Sequence, residues 1–287
     1  MIRFRPDPLP AIHPLPEALA EGARRAAYED TKAVLGVPWM GVVTMAFSHY
    51  PQFWRTLWQG LRPVCLSAEF AAARDRLRAL AEAEAAALGP APLGPALAAA
   101  GYAPSEIAEI AGTIEVFSAG NMPYALIATL VRHLMEGGSF GGGPATPAPL
   151  PVAPVAGLVL MEAHHAEPAT RALYADIMAR LGLPFVNTDY RALARWPSYF
   201  RLAWEGLRPH PGTPAHEAAL ARIHAGALGL ARDLPNPAGL SADTLRAAAR
   251  ADADEAEVLA VVRLFQWLIP GLLLNVGYLR GQLEDLA

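Results

Sequence analysis

Cysteine is almost missing from this chain: there is one in 287 residues, Cys65. A lone thiol rules out an internal disulfide, a Cys-x-x-Cys redox couple and a cysteine-based structural zinc site, and a reducing cytoplasm is the expected compartment. An excess of positive charge is missing too. Lysine and arginine total 23 against 27 acidic residues, a formal net charge of -4, and no basic run is present. Nothing attracts a polyphosphate, so nucleic acid is not an expected partner. There is no Gly-x-Gly-x-x-Gly, Walker loop or His-Glu-x-x-His, and the Gly-x-Ser-x-Gly pattern of residues 137–141 falls in a Gly-rich helix stop rather than between a strand and a helix, so it is not a nucleophile elbow. Residues 1–20 hold arginines and prolines without a continuous apolar stretch, unlike a signal peptide. The longest apolar stretch, 258–279, is interrupted by Arg263, Gln266, Pro270 and Asn275, and its counterpart, 110–134, by Glu115, Asn121 and Arg132. A bilayer penalises such groups, so no membrane span is expected and both stretches read as central helices of a soluble core.

What is present favours helix. Hydrophobic residues make up 53% and charged residues 17%, enough for a substantial core. Ala, Leu, Arg and Glu dominate, with little alternating Val/Ile/Thr patterning, so the fold class is expected to be all-α. Helices are expected over 70–88 and 215–231. Starts are marked by Pro104-Ser105-Glu106 and Ser241-Ala242-Asp243, where a hydroxyl can cap free N–H groups, and stops by Gly89-Pro90 and Gly137-Gly138.

The chain also repeats itself. Tyr28 to Pro63 aligns with Tyr174 to Pro209 at a constant offset of 146, through Asp30/Asp176, Gly36/Gly182, Pro38/Pro184, Pro51/Pro197, Trp58/Trp204 and a shared Gly-Leu-Arg-Pro. Matching resumes at an offset of 148, Ser105 to Phe117 against Ala253 to Phe265. The expected organisation is a first helical repeat with an N-terminal extension over 1–137, a Gly/Pro/Ala-rich linker over 138–154 and a second repeat over 155–287. Two such copies packed as a pseudo-twofold pair would leave a cleft between them. Trp54, Trp58, Trp196 and Trp204 recur at helical spacing and are expected in the core.

Function is sought where the copies disagree, because a scaffold that only has to fold has no reason to become polar on one side. Opposite Gly41-Val42-Val43 the second copy reads Asn187-Thr188-Asp189. Asp189 is therefore the leading candidate for a general base, against the plainer reading of a helix cap. In the other sense, Asn121 and Tyr124 face Ile269 and Leu272; the plainer reading there is a satisfied core hydrogen bond. His164-His165 with Glu162 and Glu167 lack a metal-ligand spacing, since adjacent histidines on a helix diverge, and no metal is expected. Asp252, Asp254 and Glu255 lack the calcium-loop pattern and sit where acids support a helix start.

The duplicated Pro-aromatic segment, the Asn-x-x-Tyr pair of Asn121 and Tyr124, and the Thr188-Asp189 break in symmetry resemble the group I 2-haloacid dehalogenases. The resemblance covers nearly the whole chain outside the proline-rich N-terminus and linker. It implies an all-α pseudo-dimer with the active site between the halves, hydrolysing 2-halocarboxylic acids without a cofactor. The family's catalytic aspartate falls on Asp189 and its water-holding asparagine on Asn121. Its pocket positions fall on Trp39, Val42, Tyr124, Asn187, Thr188, Phe265, Leu268, Ile269 and Leu272. Val42 and Leu268 depart from the pattern, standing where an aromatic wall is expected. Asparagine at 187 resembles the D-selective members, so a preference for D-2-haloacids is expected.

The chemistry fits these residue types. Displacing halide beside a carboxylate needs a nucleophile held in line behind the carbon–halogen bond, a dry pocket and a place for the departing anion. A carboxylate can take the proton of an attacking water while an amide oxygen fixes the second proton. The wall of Trp39, Phe265, Leu268, Ile269 and Leu272 would exclude water and raise the basicity of the base. The Trp39 indole could donate to halide, and the hydroxyls of Tyr124 or Thr188, or backbone N–H groups near Thr188, could receive the substrate carboxylate. No arginine is placed beside that carboxylate by sequence alone. Two alternatives stay open: attack by Asp189 itself through a covalent ester, and a non-catalytic helical protein that binds small acids. A homodimer is a further expectation.

Overall fold

The computed structural model describes residues 2–141, 144–152 and 157–284. Among the described residues the fold is all-α: there is no strand, and one isolated bridge pairs Ser67 with Pro147. A short 3-10 helix, Glu17–Leu19, precedes the main elements. In chain order these are α1 (Gly22–Leu35), α2 (Val42–Phe47), α3 (Pro51–Cys65), α4 (Ala68–Ala86), α5 (Gly94–Ala99), α6 (Pro104–Met135), α7 (Pro168–Leu181), α8 (Thr188–Leu193), α9 (Pro197–Leu207), α10 (Pro214–Arg232), α11 (Ala242–Asp252) and α12 (Glu255–Gly281).

The local signals explain most boundaries. Helices α1 and α7 each end on a glycine in the left-handed region, Gly36 at φ 65° and Gly182 at φ 68°, where a side chain would be strained. Helices α3 and α9 begin with Pro51 and Pro197, whose missing N–H costs nothing in a first turn. Ser241 caps α11 through a reciprocal pair with Thr244. At α6 the expected serine cap is not used. Pro104 takes the first helical position and the Glu106 carboxylate accepts the N–H of Ala103 at 2.9 Å. Helices α6 and α12 are long and apolar enough to cross a membrane, but 89% and 67% of their apolar windows are buried inside the protein, as core helices would be.

The chain forms two compact units, each built from three separate stretches. The first comprises Met1–Arg78, Gly120–Val155 and His224–Pro270; the second comprises Ala79–Ala119, Ala156–Ile223 and Gly271–Ala287. Each unit draws on both sequence halves, so the spatial division differs from the sequence repeat. Of the linker over 138–154, residues 142, 143, 153 and 154 lie outside the described residues. Its central part runs extended along the first unit, with Ala68 N–H on the Thr146 carbonyl and Ala148 N–H on the Leu66 carbonyl, each at 2.8 Å.

Each unit is anchored by the same contacts, 146 residues apart. In the first, the Trp58 indole donates to Asp30 at 2.8 Å, Arg62 forks onto the same carboxylate, and the Tyr28 hydroxyl donates to the Leu15 carbonyl. In the second, Trp204 donates to Asp176 at 2.7 Å, Arg208 forks onto it, and Tyr174 donates to the Met161 carbonyl. The Arg62 hydrogen bond, helped by Trp58, holds the Asp30 carboxyl below its usual range, and the Arg208 hydrogen bond does the same for Asp176. The four tryptophans read as core are buried, with Trp54 and Trp58 stacked at 5.5 Å.

The starts of α3 and α9 are completed by residues distant in sequence. Asp252 accepts the N–H of Phe53 at 2.8 Å, whereas the Tyr102 hydroxyl accepts the N–H of Tyr199 at 3.1 Å. Asp252 thus supports the first turn of α3 rather than that of its neighbour α12. Replacing it with alanine should cost about 1 kcal/mol, the usual loss of a helix cap. The urea midpoint should fall at constant slope; an unchanged midpoint would show that the Phe53 N–H has no need of the carboxylate.

Candidate active site

The first unit contains Trp39, Val42, Asn121, Tyr124, Phe265, Leu268 and Ile269. All are buried except Val42, which is half-buried at the start of α2. A clasp around the Tyr124 hydroxyl ties α6 to the residues before α2: it donates to the Trp39 carbonyl at 2.6 Å and accepts the Gly41 N–H at 2.8 Å. Its single proton is thereby committed and is not free to serve as the donor expected from sequence. Burial keeps that hydroxyl protonated, pushing it well above the usual phenol range.

Two glycines permit this packing. A Cβ on Gly41 would stand 2.8 Å from the Tyr124 ring, and one on Gly120 would clash with the Trp39 ring. Trp39 therefore lies directly against the helix backbone beside Asn121. Phe265 meets Phe47 of α2 edge-on at 6.0 Å, which brings α12 to the same cluster.

The second unit contains Asn187, Thr188, Asp189 and Leu272. The first three are buried and Leu272 is half-buried. Asn187 holds the N-cap position of α8, but its side chain makes no capping bond, and Asp189 falls in the first turn, 2% exposed. The plain cap reading of Asp189 is thus displaced: the cap position belongs to Asn187. Two buried polar atoms in this short stretch, Asn187 Oδ1 and Arg191 Nε, have no protein hydrogen-bond partner. Beside them Asn275 donates to the Tyr190 hydroxyl at 3.0 Å, and burial, with the charge of Asp189 close by, raises that phenol above its usual range.

Arg191 is a polar neighbour of this stretch that is not among the residues expected from sequence. Its Nη2 approaches Thr188 Oγ1 at 3.3 Å and its Nη1 donates to Glu162 at 2.6 Å. The signal was available, since Arg191 faces Met45 in the first copy, the same kind of disagreement that singled out Asp189.

Other polar groups do not join these residues. His164 and His165 lie in a turn rather than on a helix, so their rings do not diverge; the centroids are 4.1 Å apart. Among the described residues no group of three or more His, Cys, Asp or Glu side chains is arranged to hold a metal. A hollow of about 620 Å³ in the first unit is lined by Arg132, Arg246, Arg263, Glu136, Glu255 and apolar neighbours, and another of about 280 Å³ lies around Glu115 and Arg280 in the second. Neither is lined by a residue of the expected catalytic or substrate-binding set. In the larger one the arginines are already engaged: Arg132 and Arg263 on Glu136, and Arg246 on the Met135 carbonyl.

No protein-family model matches the chain. An (R)-2-haloacid dehalogenase of Rhizobium sp. (strain NHG3) is 47% identical over 244 residues, spanning 84% of this chain and 95% of that protein. The chain belongs to the 2-haloacid dehalogenases. Solved structures agree: a D-2-haloacid dehalogenase in complex with L-LA superposes with a TM-score of 0.91 at 34% identity, covering 98% of this chain and 99% of that one. A mutant D-2-haloacid dehalogenase with D-2-CPA gives the same TM-score at 33% identity over the same shares.

For this dehalogenase the contact between Trp39 and Gly120 generates a stability prediction. Alanine is the better helix former by about 1 kcal/mol, yet a Cβ in the Trp39 ring forces overpacking worth about 1–3 kcal/mol. Gly120→Ala should therefore lower stability and change the Trp fluorescence. A stabilised variant with unchanged emission would show that Trp39 does not lie against α6.

Proposed function

We propose that this enzyme hydrolyses the carbon–halogen bond of short D-2-haloalkanoic acids, inverting the α-carbon. The observation that carries the reading is the buried Asn187-Thr188-Asp189 at the start of α8, polar where the first copy has Gly41-Val42-Val43, in a chain of this family. Read as D-2-chloropropionate and L-lactate, the ligands D-2-CPA and L-LA of the related structures are a substrate and its inverted product, which supports the same direction of reaction here. Asn187, an amide where a D,L-accepting site would be small, supports the D preference.

In this mechanism Asp189 removes a proton from water as its oxygen bonds to the α-carbon. The carbon–halogen pair leaves with the halide. Asn121 holds the second water proton so that the attacking lone pair faces carbon. The products are a 2-hydroxy acid, halide and a proton. Trp39, Val42, Tyr124, Phe265, Leu268, Ile269 and Leu272 provide apolar walls, and Thr188 receives the substrate carboxylate. No cofactor takes part, and the single buried Cys65 supports a reducing, cytoplasmic setting. We also read the chain as a tandem duplication, 1–137 and 155–287, a reading supported by the Trp–Asp–Arg contacts that recur at one offset.

Asp189→Asn should reduce halide release from D-2-chloropropionate by about 100-fold or more, the usual contribution of a positioned base. A variant keeping a tenth of the activity would remove Asp189 from the mechanism. A single turnover of the unmodified enzyme in heavy-oxygen water separates water attack from a covalent ester. Label in the 2-hydroxy acid after that turnover supports direct attack; label in Asp189 with unlabelled product contradicts it.

A further inference from the structure

Thr188 can receive a carboxylate only if its hydroxyl proton points at the ligand and not at the protein. A threonine hydroxyl rotates freely unless something occupies its lone pairs. Arg191, one turn further along α8, presents Nη2 to Thr188 Oγ1 at 3.3 Å. A guanidinium has no acceptor, so the hydroxyl can only accept from it, and its proton is turned away from the arginine. The arginine is itself held: Nη1 is on Glu162 at 2.6 Å, and its backbone carbonyl accepts the Met161 N–H at 3.0 Å. Met161 is fixed in turn, its carbonyl accepting the Tyr174 hydroxyl at 2.8 Å.

We infer that Arg191 is a positioning residue for substrate recognition: through Thr188 it orients the hydroxyl that donates to the carboxylate of the 2-haloacid. The Glu162 partner balances the charge, so Arg191 acts by orientation and not as a second positive centre. The inference rests on the proposed 2-haloacid reading and assigns a role at the same site. It also accounts for the asymmetry at this position. Thr188 and Arg191 face Val42 and Met45 in the first copy, so the hydroxyl and the group that orients it occur together on one side and are both absent on the other.

The test compares the unmodified enzyme with Arg191→Met, Thr188→Val, the double variant and Glu162→Gln. Methionine is the residue the first copy already carries at the matching place. Each protein is assayed for kcat and KM on D-2-chloropropionate and, independently of turnover, for equilibrium binding of L-lactate. Arg191→Met should raise KM and weaken lactate binding about tenfold, as expected for one charge-assisted hydrogen bond, with kcat changed less than about twofold. Thr188→Val should do the same, and the double variant should lose little more than either single one. Unchanged KM and lactate binding in Arg191→Met, or full additivity in the double variant, overturns the inference. Should Arg191→Met not fold, Glu162→Gln carries the test, with a KM rise of about threefold from the loosened arginine and an unchanged KM as the contrary result. Absence of halide release from the unmodified enzyme would sink the functional reading instead; lactate binding that still depends on Arg191 would leave its positioning role standing.

Discussion

A polar side chain buried in a protein has to be hydrogen-bonded or put to use, because leaving it unpaired costs about 1–3 kcal/mol. This constraint gives meaning to the differences between the two aligned segments. Asn187, Thr188 and Asp189 are buried where the matching residues are Gly41, Val42 and Val43, and Val43 is buried with no polar group to satisfy. A purely structural pressure would have left the second triplet as apolar as the first. Within this stretch Asn187 Oδ1 is buried without a protein hydrogen-bond partner.

The scaffold around these residues is conservative in its own anchoring. The indole–carboxylate–guanidinium cluster recurs in both units with nearly the same distances, and both six-residue helices, α2 and α8, follow a segment that begins at a left-handed glycine. The differences concentrate on what precedes and fills the first turn. Ahead of α2 the Tyr124 hydroxyl gathers the Gly41 N–H and the Trp39 carbonyl. At α8 there is an N-cap amide that does not cap and an arginine braced on Glu162. The segment before α2 is thus apolar and satisfied by Tyr124, whereas α8 begins with polar side chains.

Much of this was legible in the sequence because it follows from local rules. Helical composition marks α4 and α10, the starts at Pro104 and Ser241 mark α6 and α11, Gly89 and Gly137 mark stops, and the offset of 146 pairs Trp58 with Trp204. What was not legible depends on distant residues. Asp252 looks like an acid supporting its own neighbourhood, and only the fold shows it serving Phe53 of α3. Tyr124 has a hydroxyl that sequence reasoning offers to a substrate, but the backbone around Gly41 uses it first. The compact units cut across the sequence halves because packing follows contact and not chain order. Arg191 is inconspicuous for a different reason: an arginine in a helix's last turn is ordinary until Thr188 and Glu162 are found on either side of its guanidinium.

Arginine-rich hollows attract carboxylates, and the one around Arg132, Arg246 and Arg263 is the obvious competitor for an acidic substrate. Its guanidinium groups are already engaged by Glu136, Glu255 and a backbone carbonyl, so an incoming anion would have to displace them. Recognition of the substrate at the start of α8, as proposed, is tested by a crystal structure of Asp189→Asn soaked with D-2-chloropropionate. Density for the haloacid should appear with its carboxylate on the Thr188 hydroxyl and its α-carbon facing residue 189. Density in the arginine hollow, with nothing bound at Thr188, would contradict it.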